Sequence, residues 1–279
     1  MKFLSQLIGS SAHVGIDDAT WTSTLERHSF LQRLTKSEQA RLRTHAAQLI
    51  SKKSFTGVAD FVLTDEIVVA IAAQACLPVL NLGIDAFDHF QEIVVYPGEF
   101  LVRREVTDDD GVVHDESGPL SGEAMPGGPV VLSWNDVAEA NHSRDGCNVV
   151  VHEFAHKLDM ADGMEADGVP PLHPRLHTGL SRQIWIETLD AAYEDYCEML
   201  DNLESSIPAE VDPESEEGRR LYAALPLDPY AATHPAEFFA VASEAYFVSP
   251  ARLHQSLPAL FDLLDRYYRP TLARLIARR

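Results

Sequence analysis

Apolar residues recur at helical spacing over most of the chain, and β-branched residues cluster only between positions 93 and 134. Leu25, Phe30, Leu31 and Leu34, then Leu42, Ala46 and Leu49, mark a helical region from Thr22 to Lys53, with Thr35 and Ser37 as helix starts within it. Thr64 to Ala75 predicts a helix capped by Thr64, with Asp65 and Glu66 in its first turn. Ile93 to Val106 predicts two short strands around a turn at Pro97-Gly98. TDDDG at 107–111 is a further turn, and the VVH after it extends a hairpin. Gly118 to Gly128 reads as a glycine-rich structural loop. PVVLSW, Pro129 to Trp134, reads as a strand, and its leading proline predicts an edge position. Helices follow over Asn148–Asp159, with Gly163 as the stop, then over Arg182–Leu203, 234–247 and 256–277. Glu204 to Arg220, acidic and carrying Pro208 and Pro213, reads as a solvated loop. Residues 1–20 lack periodicity and are expected to form a loosely ordered arm before a single domain over 21–279. Helices outnumber strands, so the fold class is α+β: a helical body with a small sheet.

Composition narrows the partners. Lys and Arg number 22 against 43 Asp and Glu, a formal net charge of −21. Such a surface repels nucleic acid and anionic membrane, leaving a protein, a peptide or a small molecule. Three cysteines, Cys76, Cys147 and Cys197, form no CxxC pair and fit a reducing cytosol. MKFLSQLIGSS is too weak for a secretory signal, so the expected location is cytoplasmic. The nearest approach to a membrane span, Ile67 to Leu82, carries Gln74, Pro78 and Asn81 and reads as a buried helix followed by a turn.

The chemistry concentrates in NVVVHEFAHKLDM, Asn148 to Met160. On a helix, His152 and His156 share one face a turn apart and can aim two imidazoles at one point. Glu153 stands beside them. This HExxH spacing supplies two zinc ligands and a carboxylate to take a proton from an attacking water. A third ligand is needed. Glu237 and Glu244 are seven residues apart, two turns on one face of a largely apolar helix, where a glutamate is costly unless paired or metal-bound. Glu237 as ligand and Glu244 as the partner of a ligating histidine account for both. Tyr230, seven before Glu237, reads by itself as a packed tyrosine, with the alternative of a phenol that donates a hydrogen bond to an oxyanion. Asp159 either orients a ligating imidazole or caps its helix end.

Rival constellations are poorer. His173 and His177 are also four apart, but no glutamate follows either, and His234 reads as an exposed helix start. No GxSxG exists, and Cys147 lies beside the motif without a base of its own. The 118–128 loop has neither the spacing nor the basic residue of a phosphate-binding loop.

HEFAHKLDM, together with DPYAATHPAEFFAVASE further on, resembles the Mlc titration factor A peptidases, bacterial cytosolic zinc metallopeptidases of the gluzincin type whose catalytic core is related to anthrax lethal factor. ACLPVLNLG, YPGEF, LSGEA and GPVVLSW look like further blocks of that family in the right order, and the resemblance covers roughly residues 25–270. It implies a zincin-like core with a small mixed sheet and one Zn²⁺ on His152, His156 and Glu237. Glu153 becomes the general base and Tyr230 the transition-state stabiliser. An edge strand beside the cleft receives an extended substrate, with PVVLSW the candidate. The resemblance also implies aminopeptidase-like action on short peptides. A glucose-repressor partner, Mlc, links the family to control of sugar uptake. Met125 stands where a tryptophan is expected after LSGEA, and the acidic stretch from Glu204 is longer than typical. The competing reading is a regulatory protein that sequesters a transcriptional repressor and uses zinc only structurally. Structural zinc sites have four protein ligands, usually rich in cysteine, which these residues do not supply.

Overall fold

Short polar side chains open the helices. The Asp17 carboxylate accepts from the backbone of Ala19 and Thr20 at 3.0 Å and starts α1 (Asp18–Arg27). After the single turn α2 (Ser29–Gln32), Thr35 and Glu38 form a reciprocal capping box at the head of α3 (Lys36–Lys52). Thr64 caps α4 (Asp65–Ala75), whose residues Ile67 to Ala75 are all buried. The computed structural model describes residues 15–98, 100–107, 113–120, 122–139, 146–208, 211 and 215–270. The expected N-terminal arm falls mostly outside these residues, and Asp18–Thr20 already belong to α1.

Two sheets form. β1 (Ser54–Gly57), β2 (Glu92–Tyr96), β5 (Gly122–Ala124) and β6 (Val130–Ser133) make one, in the order β1-β2-β6-β5. The first three neighbours are parallel and β5 runs antiparallel to β6, so the sheet is mixed. Among the described residues, β3 (Phe100–Thr107) and β4 (Val113–Leu120) pair only with each other, antiparallel; the expected turn at 107–111 lies mostly outside those residues.

This topology corrects three expectations. Pro97-Gly98 does not close a hairpin; it separates β2 from β3, which belong to different sheets. PVVLSW is not the edge strand. Pro129 precedes the first ladder residue, where its missing N–H costs nothing, and β6 lies between β2 and β5 with all four residues buried. The edge beside the cleft is β5, inside the segment that reads as a glycine-rich loop.

α5 (Trp134–Glu139) follows β6, and α6 (Val149–Asp159) follows in turn, packed against β5, β6, α4 and α9. Phe154 of α6 meets Phe87 and Phe90 edge-on, at 5.1 and 5.9 Å between ring centres. α7 (Arg182–Ser206) runs past the predicted stop at Leu203, and α8 (Glu216–Tyr222) occupies part of the expected acidic loop. α9 (Pro235–Val248) buries Phe238 and Phe239 against Tyr196 and Trp185. The expected terminal helix, 256–277, is α11 (Pro258–Tyr268), which starts at Pro258 and stops before Arg269, and a separate helix not foreseen, α10 (Pro250–Ser256), precedes it; the expected part beyond 270 lies outside the described residues. Among the described residues, no helix is long and apolar enough to cross a membrane.

Candidate metal centre

Asn148 caps α6 and joins three helices. Its Oδ1 accepts from Val151 N at 2.9 Å, and its Nδ2 donates to Gln74 Oε1 of α4 at 2.8 Å. Its backbone N–H donates to Glu244 Oε2 of α9. The start of the histidine helix is therefore tied to the helix that carries both glutamates.

Where α6 and α9 meet, three side chains converge. His152 Nε2 is 3.0 Å and His156 Nε2 is 3.1 Å from the same Glu237 oxygen, and the two ring nitrogens are 3.2 Å apart. Ligands at about 2.0–2.1 Å around a tetrahedral ion sit about 3.3 Å from one another. Three such groups facing one point need positive charge among them, which a shared proton or a metal ion supplies, and two imidazoles with a carboxylate are a donor set zinc accepts. The residues present thus fit a metal ion.

Electrostatics point the same way. Burial opposes a charge on His152, but hydrogen bonds to Glu237 and Glu244 outweigh it and raise its pKa well above the usual imidazole value. On His156 burial wins over the bond to Glu237 and lowers the pKa. Burial also works against the Glu237 carboxylate, yet the two imidazoles hold its pKa well below the ordinary range. Glu244 Oε1 lies 2.7 Å from His152 Nδ1. With Nδ1–H donating to Glu244, the proton His152 gives up to a competing cation is the one on Nε2, the nitrogen that faces the centre. His156 Nδ1 is buried without a hydrogen-bond partner among the described residues.

A cleft of about 190 Å³ opens over these three side chains. Glu153, 4% exposed, lies in its wall beside Gly122 and Ala124 of β5. Tyr230 sits in a 3₁₀ turn, Pro229–Ala232, with its ring centre 6.1 Å from that of His152 and the residue 47% exposed. Hydrogen bonds from Tyr196 Oη to Asp228 O and from Tyr193 Oη to Ala232 O, at 2.8 and 2.7 Å, brace that turn. The five expected catalytic and metal-holding residues, His152, Glu153, His156, Tyr230 and Glu237, line this one cleft, while Glu244 and Asp159 do not.

Other candidates are placed elsewhere. Asp159 does neither of its two expected tasks: Oδ2 accepts from Gly168 N at 2.7 Å and fastens the loop after α6. His177 accepts from His173 N at 2.8 Å and lies with Nε2 3.1 Å from Tyr267 O, so that pair is satisfied internally. His234 caps α9 by accepting from Ala236 N at 3.1 Å, as expected, but it also lines the cleft. The role of β5 was missed. Its signal was there: a glycine within a strand marks close backbone approach, and a Cβ at Gly122 would lie 2.3 Å from Glu153 Oε1.

Two histidines a turn apart on one helix, a glutamate from a second helix and an antiparallel edge strand beside the cleft define a metallopeptidase architecture. The family model described as Glucose-regulated metallo-peptidase M90 matches residues 8–269. The chain belongs to that family. Mlc titration factor A of Serratia proteamaculans (strain 568) is 40% identical over 248 residues, covering 88% of this chain and 85% of that protein. Mlc titration factor A of Yersinia pestis (strain Pestoides F) is 36% identical over 243 residues, covering 87% and 82% respectively.

Proposed function

We propose that this chain is a zinc-dependent peptidase with aminopeptidase-like action on short peptides. The observation that carries this reading is the convergence of His152 Nε2, His156 Nε2 and Glu237 Oε2 within 3.0–3.2 Å of one another, with Glu153 in the wall of the same cleft. His152, His156 and Glu237 would hold one Zn²⁺. A divalent ion there supplies Lewis acidity toward the scissile carbonyl and brings the pKa of water near 7.

The rest falls to the chain's own groups. Glu153 removes a proton from the attacking water and delivers it to the leaving amine. Tyr230 donates its phenolic hydrogen to the carbonyl oxygen as negative charge gathers there. β5 offers its unpaired backbone edge to an extended substrate. Glu153→Gln should keep zinc at one ion per chain and lower kcat/KM on a chromogenic peptide by about 10²–10⁴-fold. Hydrolysis at the wild-type rate in that variant would remove Glu153 from the role of base.

The relatives' name supports a second component: association with a Mlc-like transcriptional repressor, and through it a link to sugar uptake. The two activities are compatible if the partner governs access to the cleft. Titration calorimetry of the purified chain against such a repressor tests it, and an absence of heat at micromolar concentrations would count against it. If the zinc-loaded wild type cleaved no peptide and the repressor still bound, the purely regulatory reading would stand instead.

A further inference from the structure

α6 presents a second stripe of residues to the sheet. Glu153 and Lys157, four positions apart, lie one above the other on it, and both meet the β5–β6 hairpin. At one end the bare Cα of Gly122 rests on the Glu153 side chain. At the other, Lys157 Nζ donates to the carbonyls of Met125 and Gly128 at 2.6 and 2.8 Å. Those residues bound the turn between the two strands, which closes on itself through Gly128 N–H to Met125 O at 3.1 Å. The face of Phe90 lies 5.0 Å from the same ammonium.

Lys157 is 0% exposed. Burying an ammonium is costly, and a methionine could fill the volume without that cost. A methionine could not bind two carbonyls on a neighbouring element. The ammonium adds direction: it pins the turn, and with it a strand of three residues. β5 needs such a restraint, because its one ladder partner is β6 and its other edge is unpaired among the described residues.

We infer that Lys157 is a positioning residue that holds β5 at a set height along α6, so that the free edge of β5 meets an extended peptide beside Glu153. This rests on the peptidase reading above. A peptide pairing with Gly122–Ala124 aligns through backbone donors and acceptors, and a small shift of the strand misaligns all of them together. A substrate of one residue makes no such ladder and is indifferent to the shift.

The test compares wild type with Lys157→Met in the full, zinc-loaded chain, on a hexapeptide and on a single aminoacyl p-nitroanilide. The expected result is a hexapeptide KM raised at least about tenfold, with anilide kcat/KM changed by less than about threefold. Zinc should stay at one ion per chain, and amide hydrogen exchange over residues 122–134 should quicken at least about tenfold while α9 is unaffected. Lys157→Gln, which keeps a donor for one carbonyl, should fall between, and it carries the same comparisons if the methionine variant does not fold. Parallel losses on both substrates, or an unchanged hexapeptide KM, overturn the assignment. If wild type cleaves neither substrate, the peptidase reading has failed by itself. Exchange then decides the contact alone: faster exchange over 122–134 upholds the restraint, and unchanged exchange overturns it.

Discussion

Glu244 does not line the cleft, yet both of its oxygens are committed: one to His152 Nδ1 at 2.7 Å, the other to the N–H of Asn148. Removing its charge frees the imidazole to turn and weakens its basicity. Glu244→Gln should raise the zinc dissociation constant by about 10–100-fold, read by competition with a chromogenic chelator. Asp159 makes a different prediction. Burial pushes its carboxyl from 3.8 up to about 7, against the opposing bond from Gly168 N–H. A carboxyl whose pKa is higher folded than unfolded binds more protons in the native state, so its contribution to stability is full below about pH 4 and is lost as pH rises to about 7. Relative to Asp159→Asn, the wild type should lose on the order of 3–4 kcal/mol across that window, measured by urea unfolding at fixed pH steps. A difference that stays flat with pH would mean that this carboxyl titrates in the folded protein as it does in the unfolded chain.

At the scale of elements, α6 is the piece on which the site depends, and its start is its vulnerable point. Asn148 satisfies Val151 N, pairs with Gln74 and hands its own N–H to Glu244, all while 1% exposed. Asn148→Ala removes a cap and leaves the Gln74 oxygen buried without its donor. The expected loss is about 2–3 kcal/mol in chemical denaturation, larger than for an exposed cap. By contrast, Thr35→Ala at the solvent-facing capping box of α3 should cost about 1 kcal/mol and leave zinc affinity unchanged. The histidine helix and the paired glutamates of α9 were legible in the chain, since helical spacing of 3.6 places residues four and seven apart on one face whatever surrounds them; the capping role of Asn148 was not. β1 and β5 were not. Strands of four and three residues hold too few positions for alternation to register, and the glycine of β5 resembles a loop until Glu153 is seen beneath it.

For the whole molecule, the metal and the fold are coupled. The candidate ligands come from helices about eighty residues apart in sequence, and only the folded chain brings them together. An ion bound to the native state alone stabilises it by about 4 kcal/mol at a free concentration a thousandfold above its dissociation constant. Chelation should therefore lower the melting temperature, and added zinc should restore it in a concentration-dependent way. The stripped protein should remain folded, because Glu237 still pairs with both imidazoles. A melting temperature indifferent to zinc would argue that the ion does not sit at this convergence. The formal charge of −21 acts at the same scale: attraction to a basic protein surface should weaken as salt rises.

Spacing alone was sufficient for the histidine helix, for the glutamate pair of α9 and for the α+β character of the chain, because each depends on neighbours within two helical turns. Folding had to supply the rest: that β6 is interior and β5 is the exposed edge, that Asp159 grips a loop and not an imidazole, and that Lys157 reaches the hairpin turn. Those facts depend on which segments become adjacent across tens of residues. Strand order and burial of a charged side chain are set by long-range packing, which no local periodicity encodes.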